Sequence, residues 1–275
     1  MRDSHRRLRY GGPWFAAASA LPLGGEVSRG QLPSLVAAVL LHPRRTLALI
    51  VLLVRTKSEH PVLSGSPAGE ALRAYFNERA VGVFPRHRLC RGVLLLPEDH
   101  SEYLRGRRRQ ALRTNVRRAV SDGIRCETVT DRLHVADEIL KVDRRERAEL
   151  WQTALARREV TLMVARDKRG TPRAWTGVVL DESVCLITLT GSTSKEARWA
   201  LHDYLVRILI ARGVRYLLAN GGGPFGALGY TANIQHYQHL LGYELRHLVP
   251  VSSANAREEP SLACLATASA DRTVD

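Results

Sequence analysis

Four side chains near the C-terminus could move protons or hold a negatively charged oxygen: Tyr230, Asn233, His236 and Tyr237. A tyrosine hydroxyl can serve as a general acid, and a histidine can accept a proton near neutral pH. An asparagine amide can donate hydrogen bonds to a substrate or to an oxyanion. Purely structural roles are the alternative. Tyr237 falls on the apolar face of a predicted helix and would then pack in the core, and His236 would lie on the solvated surface.

A glycine cluster precedes these residues. Asn220 is followed by Gly221, Gly222, Gly223 and Pro224, which can form neither a helix nor an interior strand. The cluster follows a predicted strand, and such a loop often serves as a backbone cradle for a ligand. We therefore predict that it contacts substrate. A dinucleotide-binding fingerprint is absent, since the required strand, turn and helix do not fit.

The segment Arg105–Arg118 is the densest charge run, with seven arginines and no acid in 14 residues. Arg109, Arg113 and Arg117 recur every four residues, which places them on one face of a predicted helix that ends near Gly123. The predicted apolar stripe of this helix comprises Leu112, Val116, Ala119 and Val120. Like charges at this spacing repel, so we expect phosphate to bind here; a solvated basic face is the alternative.

The whole chain is also basic. Its 275 residues include 41 Lys and Arg against 27 Asp and Glu, a formal net charge of +14. This surplus indicates an anionic partner such as nucleic acid, a nucleotide-bearing donor or an acidic membrane face; an arginine-rich proteome is the alternative explanation. Apolar residues make up 45%, which excludes a mostly disordered chain.

Cysteine spacing and hydropathy limit the remaining classes. Cys90, Cys126, Cys185 and Cys264 are widely separated, which argues against a zinc finger and a disulfide framework, and we predict no metal site. The longest apolar run, Thr46–Val54, is too short to cross a bilayer. We expect a cytoplasmic protein, with peripheral membrane contact through this block as a minority interpretation.

We divide the chain into a flexible extension (1–30), one domain (31–251) and a tail (252–275). Within the domain, alternation and turn residues predict a three-stranded antiparallel meander, followed by a helix, a strand, a helix and a closing strand. A mixed-charge helix is predicted before the meander, over about 134–158. The later elements are predicted at Val160–Ala165, Ala174–Leu180, Ser183–Thr190, Arg198–Ala211, Val214–Leu218, 231–241 and Tyr243–Val249.

This order of elements, together with Leu240–Glu244 (LLGYE) and the pair Asn233 and Tyr237, resembles the GNAT acyltransferase superfamily. Arg113–Gly123 (RTNVRRAVSDG) is similar to a segment of Fem-type aminoacyltransferases. The resemblance covers roughly residues 90 to 250. It implies an α/β fold with a mixed, mostly antiparallel GNAT-like sheet flanked by helices.

The resemblance also implies an enzyme that forms an amide by transferring an acyl or aminoacyl group from a phosphate-bearing donor to an amine. Tyr237 would be the acid, with Tyr230, His236 and Asn233 as further catalytic candidates, and Asn220 and Gly221–Gly223 would contact substrate. The residues expected to hold the donor's phosphates are Arg109, Arg113, Arg117, Gly191 and Lys195.

The donor stays open between acyl-CoA and aminoacyl-tRNA, because Thr190–Arg198 lacks the R/Q-x-x-G-x-G/A loop of CoA-dependent members. Either donor would be a co-substrate, and no tightly bound cofactor is expected. The alternative function is a non-catalytic nucleic-acid-binding protein that uses the Arg105–Arg118 helix alone.

Overall fold

The computed structural model describes residues 56–80, 84–85, 91–142, 157–219 and 232–252. The apolar block at Thr46–Val54, the extension 1–30 and nearly all of the tail lie outside these residues, as do Cys90 and Cys264. The helices are α1 (Pro67–Asn77), α2 (His100–Tyr103), α3 (Gln110–Ser121), α4 (Arg132–Val142), α5 (Lys195–Ala211) and α6 (Ala232–Leu241).

Eight strands form the main sheet, in the order β1-β11-β5-β10-β9-β8-β7-β6. The strands of this sheet are β1 (Ser58–Glu59), β5 (Arg91–Leu95), β6 (Arg125–Thr128), β7 (Val160–Arg166), β8 (Pro172–Leu180), β9 (Val184–Ser192), β10 (Tyr216–Leu218) and β11 (Glu244–Leu248). Two further short pairs join β2 (Val62–Leu63) to β12 (Val251–Ser252) and β3 (Arg79–Ala80) to β4 (Phe84–Pro85).

The predicted meander is confirmed: β7, β8 and β9 pair antiparallel in succession, and β6 extends them. β10 joins β9 in parallel, which requires the crossover helix α5 between them. β5 then lies antiparallel between β10 and β11. The fold class expected from the sequence, a mixed and mostly antiparallel sheet flanked by helices, is therefore confirmed.

Alternate side chains along the strands enter different cores on the two faces of the sheet. Met163 and Ala165 of β7 join a cluster that includes residues of α3, α5 and α6, whereas Leu162 and Val164 pack with residues of α4. A third cluster places α1 against β5, β9 and β10. The helices expected to carry chemistry, α3, α5 and α6, thus share one face.

The basic helix begins later than expected. Residues Arg107–Arg109 form one 3-10 turn after Gly106, whose φ is 87°, and α3 proper starts at Gln110. Its predicted apolar stripe was wrong at Val120, which is 68% exposed. At 3.6 residues per turn Val120 lies roughly 80° from Leu112 around the helix axis, so Asn115 takes the buried position instead.

Two other predicted elements differ in extent. α4 begins at Arg132 and ends at Val142, and residues 143–156 lie outside the described part. Arg157 accepts a turn hydrogen bond from Val160 N–H, so the predicted helix does not reach Arg158. α5 starts three residues earlier than predicted, because the Ser194 hydroxyl caps it by accepting from Ala197 N–H at 3.2 Å.

Within the described ranges, no helix is long and apolar enough to span a membrane. Cys126 and Cys185 are free thiols, and burial raises the pKa of Cys126 to about 12 and that of Cys185 further. Both are therefore protonated at neutral pH, which is unfavourable for a nucleophile.

Candidate active site

The main sheet contains two parallel pairs of strands, β1 with β11 and β9 with β10, and the second pair lies at its centre. Tyr216–Leu218 of β10 faces Val184–Leu186 of β9. β9 continues to Ser192, while Ala219, the last described residue after β10, donates its N–H to Gly92 O of β5 at 3.2 Å. Residues 220–231 lie outside the described ranges, so the pairing of β9 with β10 is described only as far as Leu186.

β9 carries a β-bulge two residues after Leu186, the last residue at which its pairing with β10 is described. Gly177 of β8 faces Leu189 and Val178 faces Ile187, so Thr188 is the extra residue. The Thr188 hydroxyl donates to Gly177 O at 3.0 Å, which fixes the bulge in place. A bulge bends the strand and increases its local twist. The bulge therefore changes the direction of β9 ahead of its carboxyl-terminal residues, which end at Ser192.

The same bulge explains why residue 177 is a glycine. A Cβ atom added at Gly177 would lie 2.7 Å from Leu189 Cγ. The Thr176 hydroxyl donates to Leu189 O at 3.1 Å, so the bulged strand is tied to β8 from both sides. The bulge is consequently held in place by β8.

α6 places Tyr237 at the carboxyl end of the two parallel strands. Its hydroxyl donates to Arg198 O at 3.4 Å, and Arg198 belongs to the first turn of α5, which follows β9. The Tyr237 ring contacts Trp199 edge-on with centroids 4.7 Å apart, and the Arg198 guanidinium lies 4.3 Å above it. In α/β sheets, ligands bind at this end of the strands, where their order reverses.

Burial raises the pKa of Tyr237, and the Arg198 charge opposes this only in part. The phenol is therefore protonated throughout the neutral range, the state that a general acid requires. The structure thus gives the predicted acid a suitable protonation state, and the catalytic role stays a prediction.

The structure also contains a buried pair of polar side chains that the sequence patterns did not indicate. Tyr103 of α2 and His202 of α5 are joined by a contact of 3.1 Å between the hydroxyl and Nε2. The hydroxyl gives its single hydrogen to Leu241 O at 3.3 Å, so His202 Nε2–H is the donor in the shorter contact. Burial lowers the pKa of His202 to about 3, and the imidazole is neutral. Its position three residues after Trp199, on the buried face of α5, was the only sequence signal.

Arg109 and Arg113 direct their guanidinium groups at backbone carbonyls. Arg109 donates from Nε to Tyr103 O and from Nη1 to Leu240 O, each at 3.2 Å. Arg113 donates to Leu104 O and, at 3.0 Å, to Gly106 O. Leu240 O is among the last carbonyls of α6, which a cation stabilises. These two arginines therefore fix the end of α6 and the segment before α3. The carbonyl hydrogen bonds account for both side chains without a bound phosphate, and their predicted role in binding phosphate stays a prediction.

The other predicted phosphate residues lie apart from Arg109. Arg117 and Lys195 are exposed, Arg117 near the end of α3 and Lys195 at the start of α5. Gly191 faces Trp175 across β8 and β9, and a Cβ there would lie 2.4 Å from the indole Nε1. Packing against Trp175 thus explains the glycine at this position without a bound phosphate.

Several predicted residues lie outside the described part of the chain: Asn220, Gly221, Gly222, Gly223 and Tyr230. The backbone of Asn233 and His236 belongs to α6, four residues and one residue before Tyr237, but their side chains are not described. Over the described ranges, no group of His, Cys, Asp and Glu could hold a metal ion.

No protein-family model and no curated protein matches this sequence. Among solved structures, the chain is similar to a C-terminal domain of a protein from Agrobacterium fabrum described as a lysylphosphatidylglycerol synthetase, with TM-score 0.44, 15% identity and 57% of each chain covered. It is also similar to L-PGS from Bacillus licheniformis, with TM-score 0.42, 14% identity and 57% of each chain covered. A conserved protein from Bacteroides thetaiotaomicron gives TM-score 0.42 at 14% identity over 56% of each chain.

The chain thus spans under two thirds of the length of the solved structures that it matches.

Proposed function

We propose that the chain is an acyltransferase that forms an amide, passing an acyl or aminoacyl group from a phosphate-bearing donor to an amine. The observation that supports this best is a protonated tyrosine beside the bulged carboxyl end of a central strand. β9 is bulged at Thr188, and Tyr237 contacts the first turn of α5 at the same end of the sheet.

In this proposal the acyl donor lies along the carboxyl-terminal part of β9 as an extended chain. Alternate backbone groups of β9 bond to β8, and the intervening groups point to its other side, on which pairing with β10 is described as far as Leu186. Their N–H groups can donate to the acyl carbonyl and to the oxyanion that forms from it. A backbone donor set of this kind needs no metal ion.

The bonds balance without a covalent enzyme intermediate. The amine nitrogen attacks the acyl carbon, the C–N bond forms, and the bond from carbon to the donor's sulfur or oxygen breaks. Tyr237 gives its proton to that leaving group, and the nitrogen loses a proton to a base, for which His236 is our candidate. The Tyr237 phenolate is then reprotonated by solvent, which its raised pKa favours.

The donor's phosphates would lie at the start of α5. Lys195 is exposed there, and the helix N-terminus adds N–H groups and a favourable dipole for an anion. Acyl-CoA and aminoacyl-tRNA both present phosphate next to an activated acyl group, so both are carried into the test as co-substrates.

The test combines binding with product formation. The purified chain is melted with CoA, acetyl-CoA, a long-chain acyl-CoA and an aminoacyl-tRNA in turn, and then incubated with labelled donor and a panel of amines. A ligand at 100 times its Kd adds about 2.7 kcal/mol of stability, which a melting curve resolves. We expect one donor class to shift the melting temperature and to yield a labelled amide.

The second candidate function, a non-catalytic nucleic-acid-binding protein, is favoured by the exposed basic residues at the end of α3. It predicts salt-sensitive nucleic-acid binding with no labelled amide from any donor. That result, with no shift from the CoA compounds, would replace the acyltransferase proposal.

A further inference from the structure

Three separate elements bring five exposed cations to one side of the molecule, which we call the basic surface: Arg117, Arg118, Lys168, Arg169 and Lys195. The first two lie in the last turns of α3, the next two in the turn between β7 and β8, and the last at the start of α5. The β7–β8 turn is about 50 residues from α3 in the sequence, so no local pattern indicates that its cations join those of α3 and α5.

Two adjoining open depressions show that these elements are neighbours. One is lined by residues of α3 with Glu196, and the other by the β7–β8 turn with Ser194. Asp122, which follows α3, lines both. A Cβ on Gly123 would lie 3.4 Å from Lys168 Cβ, which brings the end of α3 into contact range of the turn.

The five cations of the basic surface outnumber the acids beside it. Asp167 is engaged by Arg173, with Oδ2 2.8 Å from Nη2, and accepts backbone N–H groups from Arg169 at 2.9 Å and Thr171 at 3.0 Å. Asp122 and Glu196 are the other two acids that line the depressions. Within the described ranges, none of the five cations forms an ion pair, and the surplus of positive charge attracts an anionic partner.

The side chains between the cations indicate the partner's chemistry. Thr114 lines one depression and adds a hydroxyl donor of the kind that contacts phosphate oxygens, whereas the hydroxyls of Ser121 and Ser194 donate to Arg117 O and to the Glu196 carboxylate. No aromatic residue lines either depression, so unpaired bases would find no stacking surface here. Val120 is the single large apolar residue of α3 that is exposed, too little for insertion into a bilayer.

We propose that the basic surface binds the phosphodiester backbone of a nucleic-acid duplex. The proposal goes beyond the acyltransferase function, since a duplex can bind whether or not the chain transfers an acyl group. In this proposal the main contact with phosphate is the basic surface and not the row of Arg109, Arg113 and Arg117, because Arg109 and Arg113 already donate to backbone carbonyls. Only Arg117 is shared between the two surfaces.

The experiment measures the affinity of the full chain for an RNA duplex, the DNA duplex of the same sequence and anionic vesicles, over a series of salt concentrations. The test variant is Lys168→Ala with Arg169→Ala. The control is Arg212→Ala with Arg215→Ala, which removes the same charge from exposed residues beyond the other end of α5. At 1.5 Å per residue the length of α5 separates the two sites by roughly 25 Å, several Debye lengths at physiological salt.

We expect at least one duplex to bind, and the test variant to lose about tenfold or more in affinity while the control changes by less than twofold. The slope of log K against log salt should fall by about two in the test variant, one for each phosphate contact removed. Equal losses in both variants would overturn the proposal, because they would show that net charge alone decides binding.

Absence of binding to both duplexes, or binding to vesicles alone, would overturn it as well. Thermal melting of each variant checks that the fold is intact. Because the duplexes carry no acyl group, failure of duplex binding leaves the acyltransferase test unaffected, and failure of transfer leaves this one unaffected.

Discussion

The guanidinium of Arg109 fills the space beside Gly242 in which a side chain would otherwise stand. A Cβ on Gly242 would lie 1.9 Å from Arg109 Nη2, and the glycine adopts φ of 83° at the end of α6. The same guanidinium donates to Leu240 O, so the end of the helix that carries Tyr237 is closed by an arginine 131 residues away in the sequence.

Gly242→Ala should therefore destabilise the fold by about 2–4 kcal/mol. The left-handed conformation costs about 1–2 kcal/mol for a residue with a Cβ, and displacing Arg109 removes two hydrogen bonds worth about 1 kcal/mol each. Gly170→Ala is the matched control, because Gly170 has φ of 80° with nothing within 4 Å of a Cβ. Urea denaturation measures the loss in free energy of unfolding for both variants. Equal losses would mean that displacement of Arg109 contributes nothing to the destabilisation.

Gly191→Ala should disturb the pairing of β8 and β9 through Trp175, which is 1% exposed and lies within 2.7 Å of the added methyl group. We expect a loss of about 1–3 kcal/mol, the usual cost of overpacking a core. In the background of Trp175→Phe the smaller ring leaves room, so the same substitution should cost at least about 1 kcal/mol less. A double-mutant cycle by chemical denaturation measures the difference, and strict additivity would contradict the packing argument.

His202 should make the stability depend on pH on the acid side. Its pKa is about 3 in the folded protein against an ordinary value near 6.5, so the unfolded chain binds a proton between these values while the folded chain does not. The contribution of a neutral His202 is complete above pH 6.5 and is lost as the pH falls toward 3, at up to about 1.4 kcal/mol per pH unit.

The measurement is the free energy of unfolding at pH 7.5, 6.5, 5.5 and 4.5 for the wild type and for His202→Gln. The variant should show a shallower fall in stability below pH 6.5, whereas His60→Gln, at an exposed position, should follow the wild type. Parallel curves for the wild type and His202→Gln would show that this histidine is not buried in its neutral form.

The local part of the fold could be predicted from the sequence, and the non-local part could not. Alternating side chains and the turn residues of Asp167–Pro172 predicted β7, β8 and β9, since each of these strands pairs with its neighbour in the chain. The insertion of β5 between β10 and β11 joins segments more than 100 residues apart, for which no local pattern exists.

In the candidate site, too, the local features could be predicted from the sequence and the long-range contacts could not. Sequence spacing placed Tyr237 on a helix and Lys195 after a strand, as the structure has them. It could not show that Arg109 and Arg113 donate to carbonyls, because charge periodicity describes one helix face and not what packs against it. The contact of Tyr103 with His202 likewise spans 99 residues.

The most direct test of the account is the turnover of Tyr237→Phe in the amide-forming assay, with Tyr204→Phe as control. Tyr204 also lies on the α5 side of the sheet, but its hydroxyl contacts Thr128 of β6 at 3.4 Å, away from the carboxyl end of β9. If Tyr237 is the acid, its variant should lose about 10²–10⁴-fold in kcat with little change in KM, while the control keeps its activity. Unchanged kcat in Tyr237→Phe, with transfer still demonstrated, would contradict the account.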